Sequence, residues 1–306
     1  MIMDLERFNS LFELLEAFPD EQSCIDYYEK LRWHGKVISP FDPESKVYKL
    51  SNNQYRCKNT GKNFNVRTKT MFTGSRIGLR KWFMTIWLIA TNKKGISSCQ
   101  LARDIKVTQT TAWFMLQRIR RCLAFQNEGV LRKDVEIDES FVGGKNKNRH
   151  WDKKVKNSQG RSFKDKTPVL GMLERGGNVI CRVIESTSDK HITPHVLKHV
   201  DKSAIIFTDE WHGYNTVSKK YLHFKVDHGK GQYVDGIAYT NTIEGFWSIL
   251  KRGIIGIYHK TSRKHLQKYV NEFAFRYNTR KESDCYKFNL LLCNAKCHIT
   301  YKRLIA

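Results

Sequence analysis

The fold is decided by the stretch 135–186, which contains VEIDESFVGG (135–144), then TPVLGMLE (167–174) and VICRVIES (179–186). Short apolar runs of this kind predict β-strands, and the Arg-Gly-Gly-Asn sequence at 175–178 predicts a hairpin turn between the last two. From residue 192 the pattern alternates between a helix, the strand AIIFTD (204–209), a second helix, the strand HFKVD (223–227) and a long helix from Thr242. Three strands followed by an alternating series predict an α/β fold, with a mixed sheet flanked by helices.

The first 128 residues have a different pattern. Apolar residues at helical spacing over 4–33, interrupted at Pro19, predict two short helices. Short extended runs separated by Asn-Asn and Thr-Gly over 37–66 predict a small β module. The segment ISSCQLARDIKVTQTTAWFMLQRIRRCL (96–123) predicts two helices with a break at 105–107. Two helices joined in this way form a helix-turn-helix candidate.

The second helix of this pair, which Thr108 opens, has an apolar stripe that predicts its buried face. Five polar side chains fall outside the stripe and are expected to point outward: Gln109, Thr110, Gln117, Arg118 and Arg121. The recognition helix of a helix-turn-helix inserts such side chains into the major groove of DNA. We therefore predict these five as DNA-binding residues.

The charge of the chain indicates a polyanionic partner. It has 54 Lys and Arg against 30 Asp and Glu, a net charge of +24, and nucleic acid is the expected partner for such a surplus. Apolar runs such as 82–90 are far shorter than the roughly 20 residues that cross a bilayer, and the first residues lack a secretory signal pattern. We expect a cytoplasmic protein without membrane contact. Its 8 scattered cysteines predict reduced thiols rather than a disulfide framework.

Three acidic residues occupy positions that suggest catalysis. Asp138 lies inside a strand run whose alternation places Ile137 on the opposite face. Asp209 ends a buried strand, where open α/β sheets collect their functional groups. Glu244 opens an amphipathic helix and shares a face with Lys251. Position, rather than residue type, singles out these three among the 30 acidic residues.

Three carboxylates on neighbouring elements would repel one another unless cations held them together. Hard divalent ions prefer such oxygen ligands. Two Mg²⁺ or Mn²⁺ ions bound there would activate a water or a 3′-hydroxyl for attack on a phosphodiester. The sequence therefore predicts a metal-dependent site built from Asp138, Asp209 and Glu244.

Three segments closely resemble the fifteen-ninety-five group of bacterial insertion-sequence transposases (ISXO-like): VEIDESFVGGKNKNRH (135–150), FTDEWHGY (207–214) and TNTIEGFWSILKRGIIGIYHKTS (240–262). The resemblance runs from about residue 24 to residue 280. It implies a ribonuclease H-like catalytic domain, a metal-binding triad of Asp138, Asp209 and Glu244 (a DDE triad), and a DNA contact at Lys251, to which we add Arg252. The segment 94–120 resembles the helix-turn-helix of this family, which implies binding to terminal inverted repeats.

The β module departs from the family pattern, which has a zinc ribbon with two Cys-x-x-Cys pairs. Here the first pair is replaced by ISPFDP (38–43), and the second by YRCKNTGKNF (55–64), which keeps only Cys57. One thiolate cannot build the four-ligand site that structural zinc needs. We therefore expect a metal-free β module without structural zinc.

These patterns divide the chain into five expected segments: N-terminal helices (1–36), a degenerate zinc-ribbon-like β module (37–70), a helix-turn-helix DNA-binding domain (71–128), a ribonuclease H-like catalytic domain (129–284) and a C-terminal tail (285–306). Within the catalytic domain, the basic, polar segment 145–166 is expected to be a loop.

The expected function is DNA transposition in a prokaryotic cell, with terminal inverted repeats and target DNA as partners. Two transposon ends must be brought together, so we expect a homo-oligomer on DNA. Two alternatives stay open. A structure-specific nuclease would use the same chemistry without joining strands, and a transposon-derived DNA-binding regulator would bind specific DNA without catalysis.

Overall fold

The computed structural model describes residues 8–144, 146, 149–156, 162–226 and 239–305. The expected loop 145–166 is therefore described only in part. The chain forms two compact units, Met1–Leu123 with Lys281–Ala306, and Ala124–Arg280. Its helices and strands, in chain order, are α1 (Leu11–Ala17), α2 (Glu21–Trp33), β1 (Val47–Lys49), β2 (Tyr55–Cys57), β3 (Asn63–Phe64), α3 (Leu79–Thr91), α4 (Ser98–Asp104), α5 (Gln109–Cys122), β4 (Asp134–Gly143), β5 (Lys166–Glu174), β6 (Val179–Val183), α6 (Asp189–His199), β7 (Ile205–Asp209), α7 (Asn215–Ser218), β8 (Leu222–Val226), α8 (Asn241–Gly253), a π-helix (Ile254–Tyr258), α9 (Arg263–Asn278), α10 (Asp284–Cys293) and α11 (Tyr301–Ile305).

A polar side chain caps the N-terminus of each of the first two helices. The Ser10 side chain accepts a hydrogen bond from the backbone N–H of Glu13 at the start of α1. Asp20 and Ser23 form a reciprocal capping box at the start of α2, which satisfies two backbone N–H groups that a helix leaves unpaired. Pro19 lies between the two helices. The prediction of two short helices over 4–33 is confirmed.

Helix α10 completes the core of the first unit. Phe288 packs edge-on against Phe8 and Phe83, with ring centroids 5.3 Å apart in each pair. The Tyr27 hydroxyl on α2 donates a 2.7 Å hydrogen bond to Asn289. The segment 285–306, which we expected to be a separate tail, thus folds with the N-terminal residues. The apolar run FNLLLC (288–293) accounts for this, because its side chains gain burial there.

The β module is a three-stranded antiparallel sheet in the order β1-β2-β3. Cys57 ends β2 and is fully buried. Burial raises the pKa of the Cys57 thiol, but hydrogen bonds from Ser39, Ser45 and Thr60 outweigh this effect and lower the pKa to about 6. Hydroxyl groups therefore surround Cys57, the one cysteine kept at the positions where the zinc-ribbon pattern has its two Cys-x-x-Cys pairs.

The predicted pair of helices at 96–123 is present as α4 and α5. Thr108 opens α5, and its side chain accepts a hydrogen bond from the backbone N–H of Thr111. Gln109, Thr110 and Arg121 are exposed, as expected. These three side chains are accessible to a partner of the first unit.

The expectation that Gln117 and Arg118 point outward is wrong, because both are buried. The Arg118 guanidinium donates hydrogen bonds of 3.1 Å to the Ile299 carbonyl and 2.7 Å to the Met71 carbonyl. It also lies 4.4 Å from the centre of the Phe114 ring. Chain segments distant in sequence therefore cover a face of α5 that looked polar in the helical pattern.

A disulfide joins Cys122 to Cys297, whose Cα atoms are 5.4 Å apart. The prediction of reduced thiols is wrong for this pair. The other 6 cysteines form no disulfide within the described residues. A separation of 175 residues explains why spacing gave no sign of the bridge, since only the folding of the C-terminal segment onto the first unit brings the two together.

The second unit contains a five-stranded sheet in the order β6-β5-β4-β7-β8. Strand β4 pairs antiparallel with β5 and parallel with β7, while β5–β6 is antiparallel and β7–β8 is parallel. Counted within the unit, the order is third, second, first, fourth and fifth strand. The predicted hairpin at 175–178 joins β5 to β6. The prediction of a mixed sheet flanked by helices is confirmed.

Each face of this sheet has its own core. One contains Ile137 of β4 and Val196 of α6, and the other contains Val169 of β5, Phe246 of α8 and Phe273 of α9. Alternation along β4 sends the neighbours of Ile137 toward α8. Among the helices described here, none is long and apolar enough to cross a membrane.

Candidate active site

Asp138, Asp209 and Glu244 line one cavity of about 560 Å³ in the second unit. Each acid comes from a different element: β4, β7 and α8. Ser248 and Lys251 line the same cavity. The structure thus brings together the three acids and the lysine that the sequence singled out.

Asp138 is half-buried in the middle of β4. The indole Nε1 of Trp247 donates a 2.9 Å hydrogen bond to its Oδ2. Burial, followed by the negative charges of Asp209 and Glu244, raises the pKa of Asp138 to about 6, although hydrogen bonds from the Glu139 backbone and Trp247 act in the opposite direction. Burial is thus the main cause of the raised pKa, and the neighbouring carboxylates add to it.

Gly171 makes the contact between Trp247 and Asp138 possible. It lies opposite Asp138 in the antiparallel pairing of β4 with β5. A Cβ atom at position 171 would lie 2.6 Å from the nearest carbon of the Trp247 ring, which is closer than van der Waals contact permits. The missing side chain therefore lets α8 place its indole against the sheet, beside the carboxylate.

Asp209 is the last residue of β7, at the carboxyl end of a parallel strand. Its Oδ1 accepts a 3.1 Å hydrogen bond from the backbone N–H of Trp211. The Trp211 indole in turn donates a 3.0 Å bond to the Thr187 carbonyl. The turn after β7 is therefore anchored, and it holds one oxygen of Asp209 in place.

Glu244 lies in the first turn of α8, where the helix dipole favours a negative charge. Ile243 and Leu250 of the same helix are buried, whereas Glu244 and Lys251 are exposed to the cavity. The amphipathic pattern predicted for this helix is confirmed. Arg252 does not line the cavity, and its Nε donates a 3.3 Å bond to the Ser248 carbonyl.

A buried glutamate links two of these elements. Glu136 is fully buried on β4, two residues before Asp138. Its Oε1 accepts a 2.9 Å bond from Arg175 Nε, and its Oε2 accepts a 2.9 Å bond from the backbone N–H of Ile243. A buried charge is tolerated when it is paired and hydrogen-bonded. The carboxylate of Glu136 therefore ties β4 to the start of the helix that carries Glu244.

The guanidinium of Arg175, in the β5–β6 hairpin turn, extends this link. It lies 3.9 Å from the centre of the Phe207 ring and 3.6 Å from that of Tyr239, and donates a 2.7 Å bond to the Tyr239 carbonyl. Phe207 lies on β7, two residues before Asp209. One guanidinium thus contacts all three chain segments that position the acids.

A fourth carboxylate, that of Glu139, also lines the cavity. It accepts a hydrogen bond from the hydroxyl of Tyr214. Burial, followed by the charge of Glu139, raises the pKa of Tyr214 well above its ordinary value, so the tyrosine acts as a neutral donor. Glu136, Glu139 and Arg175 were not among the site residues predicted from the sequence.

Part of the second unit matches a known protein family. Residues 130–278 match the ISXO2-like transposase domain. This part of the chain, just under half of its length, is therefore similar to that transposase domain. The match includes Asp138, Asp209 and Glu244 and confirms the resemblance drawn from the sequence.

A relative of this chain is found in Halobacterium salinarum. This uncharacterised protein in the transposable element ISH50 is 26% identical over 275 residues, 86% of this chain and 92% of the relative. Crystal structures of the Mos1 strand transfer complex and of a pre-cleavage Mos1 transpososome align at 12% and 11% identity. They cover 93% and 94% of this chain and 90% and 92% of theirs, with TM-scores of 0.27 and 0.22. Scores this low support no assignment.

The donor chemistry of the cavity lined by Asp138, Asp209 and Glu244 fits divalent cations. Carboxylate oxygens are the ligands that Mg²⁺ and Mn²⁺ prefer. A bound cation would offset both the burial of Asp138 and the charges of Asp209 and Glu244, which together raise its pKa. Within the described ranges, no three acidic, histidine or cysteine side chains are already grouped closely enough to hold a metal. Asp138 and Asp209, which are fixed by hydrogen bonds, and the exposed Glu244 are the residues that would hold it.

Proposed function

We propose that this protein is the DNA transposase of an insertion sequence. It binds the terminal inverted repeats, cuts DNA strands at them and joins the freed ends to target DNA, with Asp138, Asp209 and Glu244 as the catalytic, metal-binding triad. The observation that carries the proposal is the meeting of these three acids, from three elements, in one cavity beside Lys251.

The residues of the cavity have separate roles in this proposal. When bound, Mg²⁺ or Mn²⁺ ions supply Lewis-acid activation of the attacking oxygen and stabilise charge on the leaving oxygen. The Trp247 indole fixes one oxygen of Asp138, and the Trp211 backbone fixes one oxygen of Asp209. The Lys251 ammonium binds a phosphate of the DNA backbone at the cavity edge, with Arg252 contributing charge beside it.

The fold of the second unit supports the assignment of a ribonuclease H-like domain over 129–284. Its first three strands are antiparallel and its fourth and fifth are parallel to the first, which is the mixed sheet flanked by helices expected of that domain. Acids on the first strand, the fourth strand and α8 fit the triad that the family resemblance implies.

DNA-sequence recognition is assigned to the helix pair α4–α5 within the proposed DNA-binding domain 71–128. The exposed Gln109 and Thr110 at the start of α5 are the side chains for base edges, and the exposed Arg121 is a phosphate contact. Gln117 and Arg118 are excluded from this role by their burial. The net charge of +24 supports a nucleic-acid partner, and two ends joined in one reaction require at least a dimer on DNA.

The test is metal-dependent cleavage of DNA carrying the inverted repeats that flank the protein's own gene. We expect strand cuts at the repeat ends with Mg²⁺ or Mn²⁺, none in EDTA, and a loss of at least about 1,000-fold in Glu244→Gln, because a ligand that positions the reacting oxygens is removed. Glu185→Gln is the matched control, since Glu185 is a 93% exposed glutamate of the same unit.

Specific binding without cleavage under any metal condition would replace the proposal with a DNA-binding regulator. Cutting of branched or unrelated DNA, with no preference for the inverted repeats, would instead favour a structure-specific nuclease. Equal cleavage by the wild type and Glu244→Gln would remove Glu244 from the triad.

A further inference from the structure

A second cavity, of about 670 Å³, opens in the same unit. Four cationic side chains line it: Arg149, Lys153, Lys260 and Arg263. Among the described residues, the single carboxylate in the lining is that of the nearly buried Asp165, which lies 3.7 Å from Arg149. The lining is therefore strongly positive, unlike the acidic cavity of the triad.

The backbone beside this cavity contains a π-helix followed by a residue in an unfavourable conformation. Helix α8 continues into the π-helix, a form that is rare and often found at functional sites. His259 follows with φ +57° and ψ −49°, a conformation that residues other than glycine rarely adopt. This break turns His259 and Lys260 into the cavity lining.

Apolar surface is exposed at the same place. Trp151 is 79% exposed, more than any other large hydrophobic side chain in the described ranges, and Ile255, on the cavity wall, is 62% exposed. Trp151 is not itself part of the lining, but in sequence it lies between His150 and Lys153, which both line the cavity, and next to Asp152, whose carboxylate pairs with His150. An exposed indole among cations is the combination with which proteins stack bases and hold phosphates in single-stranded nucleic acid.

The two cavities are connected by the elements that carry the triad. From Asp138 to Gly143 along β4 is about 17 Å at about 3.3 Å per residue. From Glu244 to Ile254 along α8 is about 15 Å at about 1.5 Å per residue. DNA advances about 3.4 Å per nucleotide along its axis, so a strand leaving the triad reaches the second cavity after about four or five nucleotides.

We propose that this Trp151 surface (Trp151, Ile255, Arg149, Lys153, Lys260 and Arg263) binds the DNA strand adjoining the scissile phosphate, and that Trp151 stacks on a base about four or five nucleotides away. The inference rests on the proposed function. The cations hold the phosphates of that strand, and the indole holds one base out of its stack. Protein interface cores are depleted of charged residues, so the dense positive lining favours nucleic acid over a protein partner.

The experiment measures binding of the full-length protein to intact inverted-repeat duplexes in EDTA, so that binding is separated from cleavage. Single abasic sites are placed at each of about eight positions on either side of the scissile phosphate. We expect the wild type to lose about tenfold in affinity when the missing base is four or five nucleotides away, as stacking energies indicate. Trp151→Ala should bind intact DNA about tenfold more weakly and lose nothing further at that abasic site.

Two controls define the outcome. Trp151→Phe keeps an aromatic face and should retain most of the affinity, and Phe12→Ala removes another exposed aromatic, at 70%, and should change nothing. If the wild type binds but Trp151→Ala binds as tightly, or still shows the abasic penalty, this inference is overturned while the proposed function stands. If the wild type does not bind the repeats, the proposed function fails together with it.

Discussion

The carboxyl group of Asp138 is half-buried on its strand and lines the same cavity as Asp209 and Glu244. Its pKa is raised from 3.8 to about 6 by burial and by Asp209 and Glu244. Well below pH 3.8 the group is neutral in both the folded and the unfolded chain, and the shift has no effect. As pH rises from 3.8 to 6, the unfolded chain releases its proton first, so the folded state loses stability, and above pH 6 the full penalty remains.

Asp138→Asn should therefore stabilise the metal-free protein at neutral pH. A shift of about two pKa units corresponds to about 3 kcal/mol, of which we expect about 1–2 kcal/mol after solvent screening. The free energy of unfolding, measured by urea denaturation in EDTA, should be higher for the variant at pH 7.5. The difference should vanish toward pH 4.

Asp134→Asn is the matched control, because Asp134 begins the same strand but does not line the cavity. It should show no stabilisation that depends on pH in this way. Equal stability of Asp138→Asn and the wild type at pH 7.5 would contradict the like-charge repulsion described for the cavity.

The face on which a side chain lies could be predicted from the sequence wherever the local strand or helix pattern determines it. Alternation put Asp138 on the face opposite Ile137, and helical spacing put Glu244 and Lys251 together, as the structure shows. Gln117 and Arg118 were placed outward by the same spacing, but distant segments cover them. Burial that depends on long-range folding leaves no trace in a local pattern.

Among the elements, β4, β7 and α8 share a connection that explains how the acids keep their positions. Glu136 joins β4 to α8, and Arg175 joins Glu136 to the ring of Phe207 on β7 and to Tyr239 before α8. The planar guanidinium can bond a carboxylate and a carbonyl while stacking on aromatic rings. A lysine ammonium cannot do all of this.

Arg175→Lys should therefore reduce the rate of DNA cleavage more than it reduces the stability of the fold. The charge that pairs with Glu136 is kept, but the contacts to Phe207 and Tyr239 are lost, so the acids become less well positioned. We expect metal-dependent cleavage to fall by about 100-fold, because misplacement by about 1 Å costs that much. Cleavage rates over a range of Mg²⁺ concentrations, together with thermal unfolding, measure the two effects separately.

The matched control is Arg182→Lys on the neighbouring strand β6. Arg182 is also hydrogen-bonded, through a 2.6 Å bond to the Asn127 carbonyl, but the structure shows no bond from it to the triad elements within the described residues. It should lose stability without a selective loss of cleavage. A loss of cleavage in Arg175→Lys no greater than in this control would remove Arg175 as a positioning residue.

Most elements could be predicted from the sequence, because strands, hairpin and amphipathic helices leave periodic patterns that burial reinforces. Residues 285–306 were predicted to be a C-terminal tail, although α10 is apolar enough to enter a core. Nothing in the turn sequence Arg-Gly-Gly-Asn indicated that Arg175 would reach three other elements. Contacts of this kind depend on strand order, which no single segment encodes.

In the proposed function, the positive charge of the whole molecule and the negative charge of the acidic cavity have different roles. A chain with a net charge of +24 attracts DNA, while a local cavity of acids is suited to divalent cations. The positive charge brings the backbone to the cavity, and the acids provide the metal-binding chemistry. A regulator without catalysis would have no use for the acidic cavity.

The most direct measurement is strand transfer. A labelled inverted-repeat end with a free 3′-hydroxyl is incubated with the full-length protein, a supercoiled plasmid and Mg²⁺ or Mn²⁺, beside Asp138→Asn, Asp209→Asn and Glu244→Gln. We expect label joined covalently to the plasmid with the wild type and with none of the three variants. Cleavage of repeat ends without any joined product would show a nuclease, and joined product from all three variants would contradict the triad.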